Sequence, residues 1–478
     1  MENRIDPRVA QALVPPALAA IIPEGILAVG GSPRDIVMGR VPNDIDLCTP
    51  LLPEEVMARA KAVGYRVIPT GLQHGTVTVM LGEEPHEITT FRTDVETDGR
   101  HAVVEFTPSL EEDLARRDFT INAMAVDIYG ELHDPFGGYE DIQQKVIRCV
   151  GNPEDRFRED LLRIIRAARF ASTLGFDIDP ETREAMRSMA PELQQEIGGK
   201  VSVNRVVQET EKAFKGDKPS TYLQTLWDLG VIQTIIPEMA NADDLAQDPQ
   251  YHPEGSVWQH ILQTVDRADA NHRWNALFHD IGKCLTATPT PEGHNSFRGH
   301  DEAGAGIIED IGRRMNMSTD LIESIQATTE MHMQPLNVGD RPSERTIRRL
   351  QHRAGPHLST LEGVVRADSG ERYNPGWDSL WAAREQQNDI APILMGRHLL
   401  ERGHRPGPEM GQIVKRAHEH QLDTGETDID RLYDAAMGKP SNTATIAHNT
   451  VVLAVTLDRK RVYDLADRLE DVAWKILD

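Results

Sequence analysis

The sequence predicts an α+β fold, with a mixed head of small β-sheet and helices followed by an all-helical body. Short segments with the β-branched composition of strands lie at residues 26–29, 65–70, 75–81 and 86–91. A helical segment, residues 53–64, lies among them. After about residue 150, long amphipathic segments replace the strand signals and predict helices. Because one hydrophobic core does not accommodate 478 residues, we expect about two to four domains.

The composition is typical of a globular protein of a reducing compartment. Hydrophobic residues make up 39% of the chain, and no run of about eighteen apolar residues predicts a membrane span. The first residues, MENRIDPRVAQALVPP, lack the basic start and apolar stretch of a signal peptide. Cys48, Cys149 and Cys284 are widely spaced and form no redox or metal motif. We therefore expect a cytoplasmic protein without a membrane partner.

The chain is strongly acidic, with a formal charge of −25 from 51 basic and 76 acidic residues. This balance argues against a non-specific nucleic-acid binder, whose signature is basic. A local basic groove remains compatible with it, because phosphate contacts depend on where the charges cluster. The clusters are Arg116 with Arg117, the series from Arg156 to Arg169, and the run from Arg341 to Arg353. The competing interpretation of each cluster is a solvated helix face.

Two carboxylates alternate with apolar residues in the segment NDIDL. Asp44 and Asp46 would share one face of a strand, roughly 6.5–7 Å apart along the backbone. Such a pair can hold two Mg²⁺ ions, which two-metal enzymes keep about 3.5–4 Å apart. Glu87, in HEITTF on an expected neighbouring strand, is the candidate third carboxylate. Alternating acids on an edge strand that are merely solvated are the competing interpretation.

A glycine pair precedes these carboxylates in the segment GGSPRD. Ser32 is a good N-cap and Pro33 suits a first helical position, so the sequence predicts that a helix begins there. Gly30 and Gly31 would expose backbone N–H groups to an anion at the helix N-terminus. Arg34 could add a charge-assisted bond to phosphate. The glycine turn and the two carboxylates together predict a nucleoside triphosphate site, although the GxxxxGK[ST] loop of P-loop enzymes is absent.

Five ordered stretches resemble one enzyme family. GGSPRD…DIDL at 30–47 resembles the signature of class II nucleotidyltransferases, which include CCA-adding tRNA nucleotidyltransferases and bacterial poly(A) polymerases. The others are EITTFRTD at 87–94, ETDGRHAVVEF at 96–106, EEDLARRDFTINAMA at 111–125 and REDLLRIIRAARF at 158–170. They resemble, in order, the strand of the third carboxylate, the flexible loop, the ribose-recognition motif and the nucleobase template. The chain is identified by this resemblance as a member of that family.

The resemblance implies a role for each matched residue. The catalytic carboxylates would be Asp44, Asp46 and Glu87, of which Asp44 and Asp46 hold Mg²⁺. The phosphates would meet Gly30, Gly31 and Arg34. The ribose 2′-OH would be recognised by Arg117 and Asp118, with Asn122 supporting the turn. Asp160 and Arg163 would bond the base edge, and Arg166 and Arg169 complete that nucleotide-binding row.

The template residues recur every third position. On one α-helix, Asp160, Arg163, Arg166 and Arg169 would form a slowly winding ladder, with neighbours displaced by about 60°. An acceptor carboxylate beside a donor guanidinium accepts C or A and rejects G or U. An exposed, salt-bridged helix is the competing interpretation of the same spacing.

A second constellation has the order H…HD…H…H…D. Its members are His260, His279, Asp280, His300, His332 and Asp368. Imidazoles with carboxylates suit Mn²⁺, Ni²⁺, Fe²⁺ or Zn²⁺. The pattern resembles an HD phosphohydrolase domain, which one bacterial type of CCA-adding enzyme carries. That resemblance implies metal-dependent hydrolysis of 2′,3′-cyclic phosphates, 2′-nucleotides or phosphate.

The expected organisation is a leader at 1–24, a nucleotidyltransferase head at 25–150, and a helical neck with the template at 151–250. An HD domain at 251–375 and a helical tail at 376–478 follow. The resemblance implies addition or repair of the 3′-terminal CCA of tRNA from CTP and ATP. Whether the chain is a monomer or a homodimer stays open.

Four alternatives remain. Bacterial poly(A) polymerases usually have a basic tail, whereas this chain ends in DLADRLEDVAWKILD. An A-only or CC-only variant is harder to exclude, although the flexible-loop match argues modestly against CC-only addition. A protein that is mainly an HD phosphohydrolase, or a non-catalytic tRNA-binding module, would be expected to lose the head acids, which are present.

Overall fold

The computed structural model describes residues 4–97, 102–381 and 391–438. The chain forms two compact units. The first consists of Met1–His332 with Gly363–Gly370, and the second of Met333–Glu362 with Glu371–Asp478. The α+β class predicted from the sequence is confirmed, with the strands concentrated in the first third of the chain and helices after it.

A seven-stranded mixed sheet organises the head. Its strands are β1 (Leu27–Val29), β2 (Asp46–Thr49), β3 (Arg66–Gly71), β4 (Thr76–Leu81), β5 (Glu84–Thr90), β8 (Ala125–Val126) and β9 (Leu132–His133). Their spatial order is β3-β4-β5-β2-β1-β8-β9. Of these neighbours only β2 and β5 run parallel. This parallel pairing places the beginning of β2 beside the middle of β5.

Buried hydrophobic clusters cover both faces of the sheet. Successive side chains of a strand point to opposite faces, so neighbouring residues belong to different clusters. Ala28 of β1 and Leu47 of β2 belong to one buried cluster, which includes Leu18 near the N-terminus. Val29 and Cys48, their neighbours in sequence, belong to the cluster on the other side. Residues expected as a leader therefore contribute to the core of the head.

Six helices accompany this sheet. They are α1 (Pro7–Leu13), α2 (Pro16–Ile21), α3 (Gly31–Val37), α4 (Pro53–Ala62), α5 (Leu110–Ala115) and α6 (Gly138–Gln144). A separate antiparallel hairpin joins β6 (Arg92–Thr97) to β7 (Ala102–Phe106). The centre of the expected flexible loop, residues 98–101, lies outside the described residues.

Helices dominate from residue 153 onward. The neck contains α7 (Pro153–Glu159), α8 (Leu162–Leu174), α9 (Pro180–Glu196), α10 (Val203–Ala213), α11 (Pro219–Asp228) and α12 (Val231–Ile235), with the short parallel strands β10 (Val146–Ile147) and β11 (Asp177–Ile178). The next region contains α13 (Val257–Arg267), α14 (Arg273–Phe278), α15 (Lys283–Thr286), α16 (His300–Arg314) and α17 (Thr319–Met331), with the hairpin of β12 (Thr288–Pro289) and β13 (Asn295–Ser296). One buried cluster runs through both regions and includes Phe157, Trp258 and Phe278.

The remaining described helices are α18 (Glu344–Ala354), α19 (Leu358–Ser369), α20 (Asp378–Trp381), α21 (Gly396–Glu401), α22 (Pro408–Thr424) and α23 (Ile429–Ala436). Leu399, Ile413 and Leu432 form a small core of the second unit. Residues 439–478, for which the sequence predicts no function, lie outside the described residues. In the described ranges, no helix combines the length and apolarity that a bilayer crossing needs.

Candidate functional site

The glycine turn ahead of α3 approaches two functional side chains. Gly30 has φ 80°, a conformation that favours glycine, and it is the N-cap of α3. A Cβ atom on Gly30 would lie 2.9 Å from a terminal nitrogen of Arg117 and 3.9 Å from Oδ2 of Asp46. The predicted cap was wrong, because the helix begins at Gly31 and the buried Ser32 directs its hydroxyl back toward the Val29 carbonyl oxygen, 3.5 Å away.

The three predicted carboxylates lie near the start of β2 and in the middle of β5. Asp46 begins β2, while Asp44 lies two residues before the strand, so the expectation of one strand holding both was wrong. Leu47 pairs with Ile88 in the parallel ladder, which places Glu87 beside Asp46 on the same face. All three acids are exposed. In the described part of the chain, they are not among the groups whose ligand atoms lie within 4.8 Å of one another.

Arg34 connects the glycine turn to the ribose-recognition motif. Its guanidinium donates to Oδ1 of Asn122 at 2.7 Å and to Asp35 at 2.7 Å and 2.9 Å. The side chain is mostly buried and lies over the ring of Phe170, 5.4 Å from its centroid. In this conformation Arg34 therefore orients its neighbours, and its contact with phosphate stays a prediction.

Asp118 is a buried anion held by several donors. Arg166 donates to its Oδ2 at 2.6 Å and 2.8 Å, while Asn122 and the Phe119 backbone N–H donate to Oδ1 at 3.1 Å and 2.9 Å. Burial raises the pKa of Asp118, but Arg166 and these hydrogen bonds outweigh it and lower the pKa to about 2. Asp118 is therefore ionised at neutral pH and can only accept hydrogen bonds.

Asp160 does not lie on the helix that carries the template arginines. Helix α7 ends at Glu159, Asp160 is extended with φ −155° and ψ 103°, and α8 begins at Leu162. The Asp160 carboxylate accepts the N–H of Leu162 at 3.1 Å, a local bond that replaces the helical one. The predicted single ladder was therefore wrong at its first member.

The template arginines are bound within the protein. Arg163 pairs with Glu159 and donates to the carbonyl oxygens of Arg156 and Arg116 at 2.8 Å and 3.0 Å. Arg169 donates to Glu209 at 2.8 Å. The competing interpretation, an exposed salt-bridged helix, does not fit, because these arginines are oriented donors of which none is fully exposed.

A cavity of about 410 Å³ gathers the nucleotide-binding candidates. Its lining residues are Arg116, Arg117, Asp118, Asp160, Leu162, Arg163, Arg166, Arg205, Gln208, Glu209 and Lys212. Six cations against three carboxylates give this lining a positive charge, which suits an anionic nucleotide. Of the predicted nucleotide-binding residues, Gly30, Gly31, Arg34, Asn122 and Arg169 do not line it.

Sequence reasoning missed the polar face of α10. Arg205 donates to both oxygens of Asp160 at 3.3 Å and 2.7 Å, and Glu209 accepts a hydrogen bond from Arg169. The signal was present, because Arg205, Gln208 and Lys212 recur at helical spacing opposite the buried Val206. The spacing of these residues alone does not predict that this face of α10 contacts the template residues.

The second constellation forms a buried cluster of histidines around Asp280. His279, His300 and His332 each place Nδ1 2.7–2.8 Å from the backbone carbonyl three residues earlier. Since a carbonyl oxygen only accepts, each Nδ1 carries the hydrogen, and Nε2 of the neutral ring directs its lone pair inward. This is the orientation that a metal ligand needs.

Asp280 is shared by two groups of candidate ligands. Its Oδ2 lies 3.2 Å from Nε2 of His279 and 3.4 Å from Nε2 of His260, and its Oδ1 lies 3.3 Å from Nε2 of both His300 and His332. Asp368 approaches His260 at 2.9 Å. Oδ1 of Asp280 is buried without an aligned hydrogen-bond donor, an arrangement that suits a bound cation. The donor set therefore fits one or two divalent metal ions.

Three further residues support this cluster. Glu254 accepts from Nδ1 of His260 at 2.7 Å and from Nδ1 of His252 at 2.9 Å, and Lys283 donates to Asp280 at 2.7 Å. Burial lowers the pKa of His260, but hydrogen bonds to Asp368 and Glu254 outweigh it and raise the pKa to about 9. Sequence reasoning missed these residues because their order along the chain carries no motif.

Three regions of the chain match known protein families. Residues 26–148 match the family profile "Poly A polymerase head domain", residues 175–243 match "Probable RNA and SrmB- binding site of polymerase A", and residues 257–367 match "HD domain". The CCA-adding enzyme of Lactobacillus helveticus is 40% identical over 398 residues, which cover 82% of this chain and 87% of that protein. The chain belongs to the family of CCA-adding enzymes.

Other relatives place the chain within this family. The CCA-adding enzyme of Bacillus velezensis is 42% identical over 54% of this chain, an alignment that spans 60% of that relative. The A-adding tRNA nucleotidyltransferase of Deinococcus radiodurans is 30% identical over 82% of this chain and 90% of its own length. The resemblance drawn from the motifs is thus confirmed, and both CCA-adding and A-adding proteins are similar to this chain.

Solved structures agree. The Bacillus stearothermophilus CCA-adding enzyme in complex with CTP has a TM-score of 0.64 at 28% identity, and covers 93% of this chain and all of its own. The Thermotoga maritima CCA-adding enzyme complexed with tRNA has a TM-score of 0.60 at 20% identity, which shows a common fold.

Proposed function

We propose that this protein is a template-independent tRNA nucleotidyltransferase that adds or repairs the 3′-terminal CCA of tRNA with CTP and ATP. The observation that carries the proposal is the basic cavity in which Asp160 and Arg163 lie beside the ionised Asp118. Its relatives support the same reaction, since CCA-adding enzymes are similar over most of the chain. Poly(A) polymerase is not favoured.

The carboxylates of the head would hold the metal. Asp44 and Asp46, with Glu87 of the neighbouring strand, are exposed acids around the start of β2, a donor set that suits Mg²⁺. When bound, Mg²⁺ supplies positive charge to the triphosphate and to the primer 3′-oxygen. The absence of a Cβ atom on Gly30 lets the Arg117 guanidinium approach the turn next to Asp46, where its positive charge would suit a phosphate.

Nucleotide selection would come from fixed donors and acceptors around the cavity. The Asp160 carboxylate can accept from the exocyclic amino group of C or A, and Arg163 can donate to the adjacent ring nitrogen. G and U present the opposite pattern and would leave buried polar groups unpaired, which is costly. Asp118, fixed by Arg166, offers an acceptor for a ribose hydroxyl.

Extension of labelled tRNA transcripts tests the proposal. Transcripts that end before the CCA, after CC and after CCA would be incubated with CTP, ATP or both, and resolved at single-nucleotide resolution. Ordered addition that completes CCA, stops and disappears in Asp44→Ala is the expected result. Long A tails on any RNA would indicate a poly(A) polymerase, and no addition by the native chain would refute the proposal.

An A-adding enzyme is the second candidate, because the Deinococcus radiodurans relative bears that name. The same transcripts separate the two reactions. An A-adding enzyme extends only the tRNA that already ends in CC, whereas a CCA-adding enzyme also extends the shorter transcript when CTP is supplied.

We further propose that the HD region is a metal-dependent phosphohydrolase for 2′,3′-cyclic phosphates or 2′-nucleotides. The supporting observation is the inward direction of the Nε2 atoms of His279, His300 and His332 around Asp280. A bound Mn²⁺, Ni²⁺, Fe²⁺ or Zn²⁺ would supply Lewis acidity toward the phosphate ester. His260 and Asp368 complete the expected ligand set.

Hydrolysis of a 2′,3′-cyclic nucleotide with each of the four metals tests this activity. His279→Ala should abolish it, whereas His294→Ala, outside the cluster, should not. Asp44→Ala should preserve hydrolysis while it abolishes nucleotide addition, so the two proposals fail independently.

A cytoplasmic location is proposed as well, supported by tRNA as substrate and by three buried, unpaired cysteines.

A further inference from the structure

The aromatic ring of Phe170 contacts all three segments to which the resemblance assigns nucleotide recognition. The guanidinium carbons of Arg169, Arg166 and Arg34 lie over this ring, at 3.5 Å, 5.4 Å and 5.4 Å from its centroid. The ring of Phe119 meets it edge-on, with centroids 5.7 Å apart and planes at 78°. An apolar side chain offers a nucleotide no hydrogen bond, so any role of Phe170 in recognition acts through these neighbours.

Helical spacing accounts for only one of the three arginines. Arg166 lies four residues before Phe170 on α8, and residues four apart share a helix face. Arg169 is the immediate neighbour, which by helical geometry faces another direction, and its Nε is bound to Glu209 of α10 while the guanidinium lies over the ring. Arg34 comes from α3 of the head. Side chains of the head and of the neck therefore converge on one ring.

Three cations around one side chain need compensating charge, and each guanidinium has a carboxylate partner. The pairs are Arg34 with Asp35, Arg166 with Asp118 and Arg169 with Glu209, at 2.7 Å, 2.6 Å and 2.8 Å. These bonds engage the edge of each guanidinium and leave its flat face free for an aromatic ring. The arginine side chains are only 12%, 29% and 12% exposed, and a cation–π contact is stronger where water is excluded.

The neighbours of the ring are the groups that fix Asp118, the expected acceptor for a ribose hydroxyl. Arg166 donates to its Oδ2, and the backbone N–H of Phe119 donates to its Oδ1 at 2.9 Å. Arg34 acts through Asn122, which accepts from Arg34 at 2.7 Å and donates to Oδ1 at 3.1 Å. Loss of the ring would therefore loosen the donors of this carboxylate without removing any of them.

We propose that Phe170 is a positioning residue for ribonucleotide selection, which acts through the arginines that its ring holds. The inference rests on the proposed nucleotide addition, and deepens it by naming a determinant of the preference for ribose over deoxyribose. A fixed carboxylate at Asp118 favours a nucleotide with a 2′-hydroxyl, because a buried acceptor that loses its donor costs free energy. A carboxylate that can turn toward water distinguishes the two sugars less.

Addition of ATP and of dATP to a tRNA transcript ending in CC tests the proposal. With the full chain, kcat/KM would be measured for both nucleotides, and the ratio of the two values gives the ribose preference. Phe170→Leu keeps an apolar side chain but removes the aromatic face, and should lower this ratio about ten-fold. A purely structural loss lowers both values together and leaves the ratio unchanged.

Phe176→Leu is the matched control. Phe176 belongs to the same buried cluster as Phe170, with 6% and 5% exposure, but among the described residues no arginine lies over its ring. This variant loses a comparable amount of packing and should keep the native ribose preference. An equal fall of the ratio in both variants would overturn the proposal.

Fluorinated phenylalanine at position 170 provides a second test, which changes the charge distribution of the ring while nearly preserving its size. Mono-, di- and trifluorinated side chains, introduced at a reassigned stop codon, weaken the attraction of the ring for a cation stepwise. The ribose preference should fall stepwise along this series. A flat series overturns the proposal, even if Phe170→Leu loses its preference or fails to fold.

Two further measurements keep the outcomes distinct. Thermal melting of each variant identifies loss of folding. If the native chain adds no nucleotide to any transcript, the proposed function fails. If it adds nucleotides but shows no ribose preference, or if the Phe170 variants keep that preference, only the role of Phe170 fails.

Discussion

Arg205 holds both carboxylate oxygens of Asp160, with hydrogen bonds of 3.3 Å and 2.7 Å across the gap between two neck helices. Asp160 is extended between α7 and α8, so no helical backbone bond fixes its orientation. The ion pair supplies that orientation from α10. A residue 45 positions away in sequence thus determines where the acceptor of the base-recognition pair lies.

Replacement of Arg205 should impair nucleotide selection more than folding. Arg205→Gln is expected to lower kcat/KM for CTP and ATP by about 10- to 100-fold, because a misplaced acceptor loses the bound geometry. Arg205→Lys should restore part of the loss. Lys212→Gln is the matched control, since Lys212 lies on the same helix and also pairs with an acid of the cavity, Glu209. Steady-state kinetics and the frequency of GTP and UTP incorporation provide the measurement. Native selectivity in Arg205→Gln would refute the role.

Glu87 should be necessary for catalysis, unlike a second acid of the same strand. Glu87 is adjacent to Asp46 in the parallel ladder, whereas Glu84, three residues earlier on β5, is directed to the other face. We expect Glu87→Gln to reduce kcat about 100-fold, because the metal site loses a charged oxygen ligand. Glu84→Gln should remain within about two-fold of native kcat. Equal activity of the two variants would show that Glu87 is not part of the site.

The glycine turn should tolerate a methyl group at Gly31 but not at Gly30. Gly30 has φ 80°, and its Cβ atom would lie 2.9 Å from Arg117, whereas a Cβ atom on Gly31 would lie 3.4 Å from Arg34. A positive φ costs an L-residue about 1–2 kcal/mol, so Gly30→Ala should lower the free energy of unfolding by that amount or more. Urea denaturation and the KM for ATP measure both effects. A larger stability loss in Gly31→Ala would contradict this account.

Metal binding to the HD cluster should release protons. In the metal-free protein the pKa of His260 is raised to about 9, so protonated His260 stabilises the fold. That contribution is complete below the ordinary pKa of 6.5 and is lost as pH rises through about 9. Because a metal binds only the neutral ring, apparent affinity should rise up to about ten-fold per pH unit between those values.

Calorimetry in two buffers of different ionisation enthalpy counts the protons released at pH 7.5. His260→Gln should reduce the number by about one. His294→Ala, which leaves the cluster intact, should not change it. Metal binding without any proton release at this pH would show that His260 is already neutral or is not a ligand.

The motifs predicted much of the site. The stretch with Asp118 and Asn122 and the stretch with Arg163 and Arg166 are far apart in sequence, yet they meet at one hydrogen-bonded cluster. Ser32 shows the limit of local rules: it is a favourable N-cap by composition, but the N-cap is Gly30, two residues earlier, which adopts the positive φ that the turn requires.

Asp160 shows the same limit for periodicity. Its spacing to Arg163 agrees with a helical ladder, but periodicity does not detect a backbone break at a residue whose side chain can bond its own chain. The contact of α10 with the template also could not be predicted from the sequence pattern. Hydrophobic spacing identifies which face of a helix is polar, but not which segment that face contacts.

The sequence by itself determined the family, the α+β class and the chemical groups available, because these depend on residue identity, order and local periodicity. The tertiary structure alone decided which groups meet. It paired β2 with β5 so that Glu87 adjoins Asp46, and it brought Arg205 to Asp160. Contacts between distant segments depend on how buried surfaces pack as a whole, and no local pattern in the chain encodes that packing.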